Sequence, residues 1–477
     1  MPYRAVVVDP RFGPLLRELR GHLSYRRLGK KVHCTGTHLS DVEKGKKRPS
    51  IALAHLLDNE LGAGGALSAM VVEVSANSGV HLRPGLTLSD PLPEGLEFAP
   101  DWRHGVGVAA ELFRRDMQRR QLLRGAGFNA AAFLTPAMRW LTSSLDEFPT
   151  GPGERVVGEP DVEMVRRITT AYRTLDNQYG GGHIRESVVR FLNAEVAGLL
   201  QGRYDSGTGA ALLSAASEAT QLAGWATYDV GMHGLAQRYM VQALRMAAAA
   251  GDRALGAEIL AAMSHQAAYQ RAASEAVDLA RAAGRVAKDA GIAAIQAESA
   301  VLEAQGHASG GDAAACAVAL DRAERALDKA DRTSDPQWIG YFDESYLAAK
   351  FGHCFTALER GDLAQRFAAK SLHMDGRHYA RGRQFNLALL ATAHIAAKDA
   401  NTRDPEEASA IGLQAVEAAE GLASVRAGDY LADLADRLAP YAGLPKVQEF
   451  QDRARPTIRR LQLAGRPGEQ DGEQSGD

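Results

Sequence analysis

Net charge and cysteine are both scarce in this chain of 477 residues, and each scarcity excludes something. Basic and acidic side chains nearly cancel, 55 Lys and Arg against 58 Asp and Glu, so the protein as a whole is no cationic coat for nucleic acid or anionic lipid. The 3 cysteines, Cys34, Cys316 and Cys354, stand far apart without C-x-x-C or Cys/His spacing. That excludes a disulfide framework and a zinc site, and fits a reducing cytoplasm. The sequence contains no H-E-x-x-H, G-x-S-x-G, P-loop or kinase signature, and its 14 histidines are scattered, so no catalysis, metal or cofactor is expected. Long apolar runs are also missing: Met1-Pro2-Tyr3-Arg4 opens no leader. The twin-arginine-like stretch at Arg119-Arg120 is interrupted by Arg124, Asn129, Pro136 and Arg139, which suits a buried helix pair over 102–147 better than export or a membrane span.

What is present is an uneven charge distribution. Residues 1–58 hold twelve Lys and Arg against five Asp and Glu, a balance of +7, which leaves −10 on the remainder. A small basic head on a large acidic body points the head at a polyanion, although a solvated basic face would give the same balance.

The acidic body repeats itself. Pairs of small residues seven apart recur as Ala236/Ala243, Ala276/Ala283, Ala319/Ala326, Ala364/Ser371 and Ala408/Ala415, with starts 40, 43, 45 and 44 residues apart. Twelve residues before each pair stand Gly224, Ser264, His307, Gly352 and Ala396. Seven residues are two helical turns, so both small residues of a pair share a face on which a second helix can approach closely. Gly231, Gly251 and Gly361-Asp362 fall where one helix should stop and the next begin. Each unit reads as a helical hairpin that buries its apolar stripe only against its neighbours; a plain helical bundle is the alternative.

The unit resembles a tetratricopeptide repeat (TPR), with Gly224 and Gly352 at its first small position and Phe355 at its aromatic position. The match covers roughly residues 210–460 and departs from the family in its longer period and in lacking the closing proline of most units. The resemblance implies a TPR-like repeat domain over 207–463, used for dimerisation and for sensing a peptide, small molecule or protein in its groove.

Ahead of the repeats, 159–206 reads as two helices around Gly180-Gly181-Gly182-His183, flanked by Asp176 and Arg185. A phosphate loop would need a preceding strand and a following Lys-Ser/Thr, so a tight turn with glycine at positive φ is expected, with a ligand contact by His183 or Arg185 as the alternative. Trp225 and Tyr228 are further ligand candidates. So are Tyr239, Trp338, Tyr341, Phe342, Phe351 and Phe355, although aromatics at helical spacing also suit a core.

The head offers four short helices: Pro14–Arg20, a second capped by Ser24 and running through Leu28 to Val32, a third opened by Thr35-Gly36-Thr37, and Ile51–Leu61. On the third, Leu39 and Val42 share one side, while Thr37, Ser40, Asp41 and Lys44 lie near the other. Such a helix can bury its apolar side and offer short polar groups to base edges in a major groove. Glu43 sits on the inward shoulder, where a nearby Arg should pair it. Gly45 ends the helix, and Lys46-Lys47-Arg48 then stands ready for phosphates.

Leu39-Ser40-Asp41-Val42-Glu43-Lys44-Gly45-Lys46-Lys47-Arg48-Pro49-Ser50 resembles the phage-repressor-like, xenobiotic-response-element (XRE) type of helix-turn-helix across twelve positions. The resemblance implies that Tyr25 approaches backbone or base, that Thr35, Gly36, Thr37, Ser40 and Lys44 form the reading surface, and that Lys46, Lys47 and Arg48 position the domain. His38 suits packing more than reading. The first helix is short, and Gly29 stands where an alanine is usual, at a cost to the helix of about 1 kcal/mol.

The expected protein is all-α. An XRE-type DNA-binding domain over 1–66 is followed by a linker over 67–101 with one short strand near Val71–Val74, helical pairs over 102–147 and 159–206, the repeats, and a disordered tail over 464–477. The arrangement resembles actinobacterial helix-turn-helix regulators of development and secondary metabolism. It implies a cytoplasmic homodimer that binds double-stranded operator DNA and no membrane. The alternative is an interaction scaffold or anti-regulator whose head no longer binds DNA.

Overall fold

The computed structural model describes residues 4–8, 12–32, 34–47, 49–63, 67–75, 95–118, 127–142, 149–333 and 335–464. They are predominantly helical and divide into two compact units, Met1–Pro91 and Leu92–Asp477. No helix among the described residues is long and apolar enough to cross a membrane. The twin-arginine stretch at 119–126, Arg48 and the tail after Ala464 lie outside the described residues.

The first unit holds α1 (Phe12–Arg20), α2 (Tyr25–Lys31), α3 (Gly36–Glu43) and α4 (Ile51–Leu61). Hydroxyl caps start three of them: Ser24, Thr35 and Ser50 accept from the backbone N–H of Arg27, His38 and Leu53. Phe12, Leu16, Leu28, Leu39, Val42 and Leu57 form a fully buried core. The expected linker starts later than residue 67. Asp58 on α4 accepts from Leu67 N at 2.8 Å and Ser68 N at 2.7 Å, and β2 (Val71–Ser75) pairs antiparallel with β1 (Arg4–Val8). The strand therefore belongs to the head, because the buried Asp58 carboxylate ties the turn before it to α4.

The linker also ends earlier. Leu96, Phe98 and Ala99 are buried in the second unit, where Gln242 donates to the carbonyls of Gly95 and Glu97 and Arg245 to that of Ala99. The expected pair over 102–147 is not a mutual pair. α5 (Trp102–Gln118) and α6 (Leu134–Thr142) each dock on the repeat helices, α6 with the Trp140 ring against Gly256.

α7 (Glu159–Tyr179) and α8 (Gly181–Phe191) precede six antiparallel hairpins. The hairpins are α9–α10 (Ser206–Asp229, His233–Ala250), α11–α12 (Arg253–Tyr269, Ala273–Ala290) and α13–α14 (Ala293–Ser309, Ala313–Leu327). They continue as α15–α16 (Glu344–Ala357, Gly361–Ser371), α17–α18 (Ala380–Ala393, Pro405–Ala418) and α19–α20 (Val425–Leu438, Pro445–Leu463). A Cβ on Gly224 would lie 3.1 Å from the Tyr239 Cβ, and one on Gly352 3.3 Å from the Ala368 backbone, so small residues do mark the crossings.

Two units depart from the expected register. The left-handed residue in the turn within each of the first four hairpins is Gly231, Arg271, Gly311 and Glu359, five residues ahead of Ala236, Ala276, Cys316 and Ala364. The third pair is therefore Cys316/Ala323, both buried, rather than Ala319/Ala326, and Ala304 replaces His307 as the small position before it. Gly361 opens its helix instead of ending the previous one. Ala396 lies beyond the end of α17, in a longer turn. The sixth hairpin has no small pair; Val447, Phe450 and Ala454 pack it, with Phe450 against Gly412.

The row of hairpins curves back onto its own start. α7 packs on both α9 and α17, and the α7–α8 turn meets the turn before α19. There Gly182 N donates to Ala423 O at 2.8 Å, and Ala423 N donates to Tyr179 O at 2.8 Å. Gly180 has φ +88°, while Gly181 and Gly182 leave the space that a Cβ would need, within 2.8 Å of Ala226 and Ala423 atoms. The glycine triplet is thus a turn whose backbone donors are all taken, Gly180 N by Asp176 O and Gly181 N by Asp229 Oδ2, each at 2.9 Å, and Gly182 N by Ala423 O.

Candidate nucleic-acid interface and interior cavity

In the head, α3 is held from three directions. Leu39 and Val42 are buried, and the Gly36 Cα faces the α2 backbone so closely that a Cβ would sit 3.1 Å from Arg26 N. Glu43, 8% exposed, receives Arg20 Nε at 2.9 Å, Arg20 Nη2 at 3.2 Å and the Tyr25 hydroxyl at 2.8 Å. Burial alone would raise the Glu43 pKa, but these donors outweigh it and lower the pKa below the ordinary carboxylate value. The opposite face of α3 is open. Thr37, Lys44, Lys46 and Lys47 are exposed and Ser40 is half-buried.

Several expected reading residues have local duties. Thr35 caps α3, Gly36 serves the α2–α3 crossing, the Tyr25 hydroxyl is committed to Glu43, and Lys47 pairs with Asp41 at 3.2 Å. His38 is half-buried. Arg26, Arg27 and Lys30 on α2 are exposed cations that the motif alone did not single out; the run of basic residues from 26 to 31 was the available signal. Gly29 is not a weakness of α2, because a Cβ there would lie 2.5 Å from Cys34 O.

The sequence matches no protein-family model, and no curated protein is significantly similar to it.

The second candidate site lies inside the ring of hairpins. A cavity of about 210 Å³ is lined by the first helices of five hairpins' worth of inner wall, chiefly α9, α11, α15, α17 and α19, and by α7. Trp225, Trp338, Tyr341 and Tyr346 contribute aromatic surface. Of the residues expected to touch a ligand, Trp225 lines the cavity, whereas Tyr228 is fully buried behind it with its hydroxyl 3.2 Å from His265 Nδ1. His183 and Arg185 are not brought to the cavity. His183 Nε2 lies 3.1 Å from Gly421 O, and Arg185 is spent on Asp116 at 2.6 and 2.7 Å and on Thr227. Tyr239 likewise donates to Asp116, at 2.7 Å, within the core.

Most cations of the cavity wall are neutralised by the frame. Arg381 grips Asp176 through two bonds of 2.9 and 2.7 Å and lies 3.3 Å from Asp229, and Arg173 pairs with Glu218 at 2.9 Å. The Arg426 guanidinium is 3.6 Å from Asp229 and stacks 4.5 Å from the Tyr228 ring and 4.9 Å from Phe385. Lys350 donates to Gln305 Oε1 at 3.2 Å; burial, then the nearby Arg426 charge, push its pKa down to about 7.

The carboxyls are treated differently. Glu258 and Glu298, 6% and 4% exposed, both lie within hydrogen-bond distance of the Tyr341 hydroxyl, at 2.9 and 2.7 Å, and the Lys350 charge acts on Glu298. Burial and the Glu258 charge raise the Glu298 pKa well above the usual range. Each has one oxygen without an ordinary donor, as has Gln221 through Oε1. No group of three or more His, Cys, Asp or Glu among the described residues is arranged to hold a metal. The forty-residue spacing of Glu258 and Glu298, equal to the local repeat, was a legible sign of an inward-facing pair.

Proposed function

We propose that the protein is a sequence-specific DNA-binding regulator, with an XRE-type helix-turn-helix head and a TPR-like body that senses a small molecule in its interior cavity. The observation that carries the reading is the open face of α3, with Thr37 and Lys44 exposed on a helix whose other side is fixed by Leu39, Val42, Gly36 and Glu43. A recognition helix needs that division, because base contacts specify only when the helix is held in one orientation. Lys46 and Lys47, together with Arg26, Arg27 and Lys30, supply exposed positive charge for phosphates. One such head touches few phosphates. Two, in a homodimer, would read half-sites one DNA turn apart, roughly 34–36 Å.

A mobility-shift titration against operator fragments selected from genomic DNA tests this. Thr37→Ala is expected to narrow the affinity gap between selected and random fragments. The combined Lys46→Ala, Lys47→Ala, Arg48→Ala variant is expected to weaken binding to all sequences and reduce the slope of log K against log salt by up to about three. Absence of binding by the parent protein at low salt would instead favour the scaffold, whose partner occupies the body alone.

A further inference from the structure

The cavity in the body carries more positive than negative charge on its wall: Arg173, Lys350, Arg381 and Arg426 line it against Asp176, Glu258 and Asp343. Two of the cations have a close carboxylate, Arg173 with Glu218 at 2.9 Å and Arg381 with Asp176 at 2.7 Å. Arg426 is matched less well. Its carboxylate neighbour, Asp229 at 3.6 Å, also takes Arg381, Ser424 Oγ and Gly181 N, at 3.3, 3.0 and 2.9 Å. Lys350, 4% exposed, donates to the neutral side chain of Gln305 at 3.2 Å and makes no ion pair among the described residues. The carboxyl whose charge reaches it, Glu298, is held toward its neutral form by burial and by Glu258. Asp343 is exposed and caps α15, accepting from Tyr346 N at 2.7 Å. The other titratable neighbours of Lys350 include two bases. His265 on α11 and His353 on α15 also line the cavity, and burial, then the Lys350 and Arg426 charges, push both imidazole pKa values down, that of His353 to about 3. Four basic groups from α11, α15 and α19 thus act on one another across one part of the wall. A buried cation without a close anion is costly, and an incoming anion removes that cost.

From this convergence of basic groups and the aromatic rings beside it, we infer that the cavity is a binding site for a small organic acid, its carboxylate held by Lys350 and Arg426 and its apolar part against Trp225 and Tyr346. The two rings stand next to the two cations: the Arg426 guanidinium is 5.5 Å from the Trp225 ring, and Lys350 Nζ is 5.5 Å from the Tyr346 ring. Charge-assisted hydrogen bonds from lysine and arginine to a carboxylate are strong, and a desolvated pocket with aromatic walls strengthens them. One cation without an ion pair calls for one negative charge, which a monocarboxylate supplies. Size sets the scale of the ligand. The volume of about 210 Å³ exceeds the about 150 Å³ that accommodates benzene, and falls below the range of about 300–1,000 Å³ usual for larger ligands. One ring with a short chain fits; a peptide of several residues does not.

The inference rests on the sensing role proposed for the body, and its test is run without DNA so that loss of acid binding and loss of DNA binding are read separately. The full-length protein is titrated calorimetrically at pH 7.5 with phenylacetate, 2-phenylethanol and 2-phenylethylamine, three probes of one shape. Phenylacetate is expected to bind at least tenfold more tightly than either of the others. Lys350→Met should weaken it at least tenfold, because the ligand's charge then loses its unpaired partner. Lys350→Gln supplies the same test if that variant does not fold. Lys288→Met, which removes an exposed cation on α12, should leave the affinity unchanged. Preferential binding of the amine or the alcohol, no binding of any probe by the folded protein, indifference of phenylacetate affinity to the folded Lys350 variant, or an equal loss in Lys288→Met would each overturn the assignment.

Discussion

Gly29 and Glu43 decide more about the head than their neighbours in the motif. Helix propensity favours alanine over glycine by about 1 kcal/mol, yet Gly29 has Cys34 O where a methyl group would go. Gly29→Ala is therefore expected to destabilise the head by about 1–3 kcal/mol, the usual range for overpacking, read from hydrogen exchange of α2 and α3 amides. At Glu43 the sign of the pH effect follows from its lowered pKa. The paired carboxylate stabilises the head fully above the unfolded value near 4.5, and that contribution disappears as pH falls through the lower folded value. Glu43→Gln should flatten the acid limb of the head's unfolding curve, and an unchanged limb would show that Arg20 and Tyr25 contribute nothing through it.

At the scale of the element, the hairpin turns follow one rule with two exceptions. Gly231 and Gly311 adopt the left-handed conformation freely, whereas Arg271 and Glu359 hold it at φ +60° and +56°. A side chain in that region costs about 1–2 kcal/mol, so Glu359→Gly is expected to stabilise the body by about 1 kcal/mol in chemical denaturation, against the usual penalty of glycine. The helices of the head were legible almost to the residue, because Ser24, Thr35 and Ser50 are hydroxyl caps and Gly45 and Gly62 terminate helically spaced apolar residues. The third repeat was not. Cys316 occupies the small position there, and a cysteine buried like an alanine is invisible to a search for Ala, Gly and Ser.

Closure of the ring belongs to the whole body. Arg381 is 6% exposed and joins Asp176 on α7 to Asp229 on α9, and Tyr269 donates to Asp429 at 2.6 Å across 160 residues of chain. Truncating one partner of a buried ion pair typically costs about 3–5 kcal/mol, because the other charge stays buried. Arg381→Met is expected to lower body stability by about that amount, measured by thermal or denaturant unfolding. The Asp176→Asn, Arg381→Met double variant should recover part of it, since one of the stranded carboxylates is then gone; equal losses in the single and double variants would show that closure does not depend on this pair.

The sequence by itself determined what local rules govern. Caps, glycine stops and apolar periodicity specified the four helices of the head, and small residues seven apart marked most of the hairpins, because each rule acts within one or two helical turns. It also told the turn at Gly180–Gly182 from a phosphate loop, by the absence of the flanking residues such a loop requires. Tertiary structure alone decided which polar residues matter. Arg185 and Arg381 are equally charged in sequence, yet one is locked to Asp116 in the core and the other closes the ring beside the cavity. Gln221, Glu258 and Glu298, from three different helices, come together only when those helices stack in register. Burial and pairing are sums over neighbours distant in the chain, and the curvature that brings α19 back to α7 sets them.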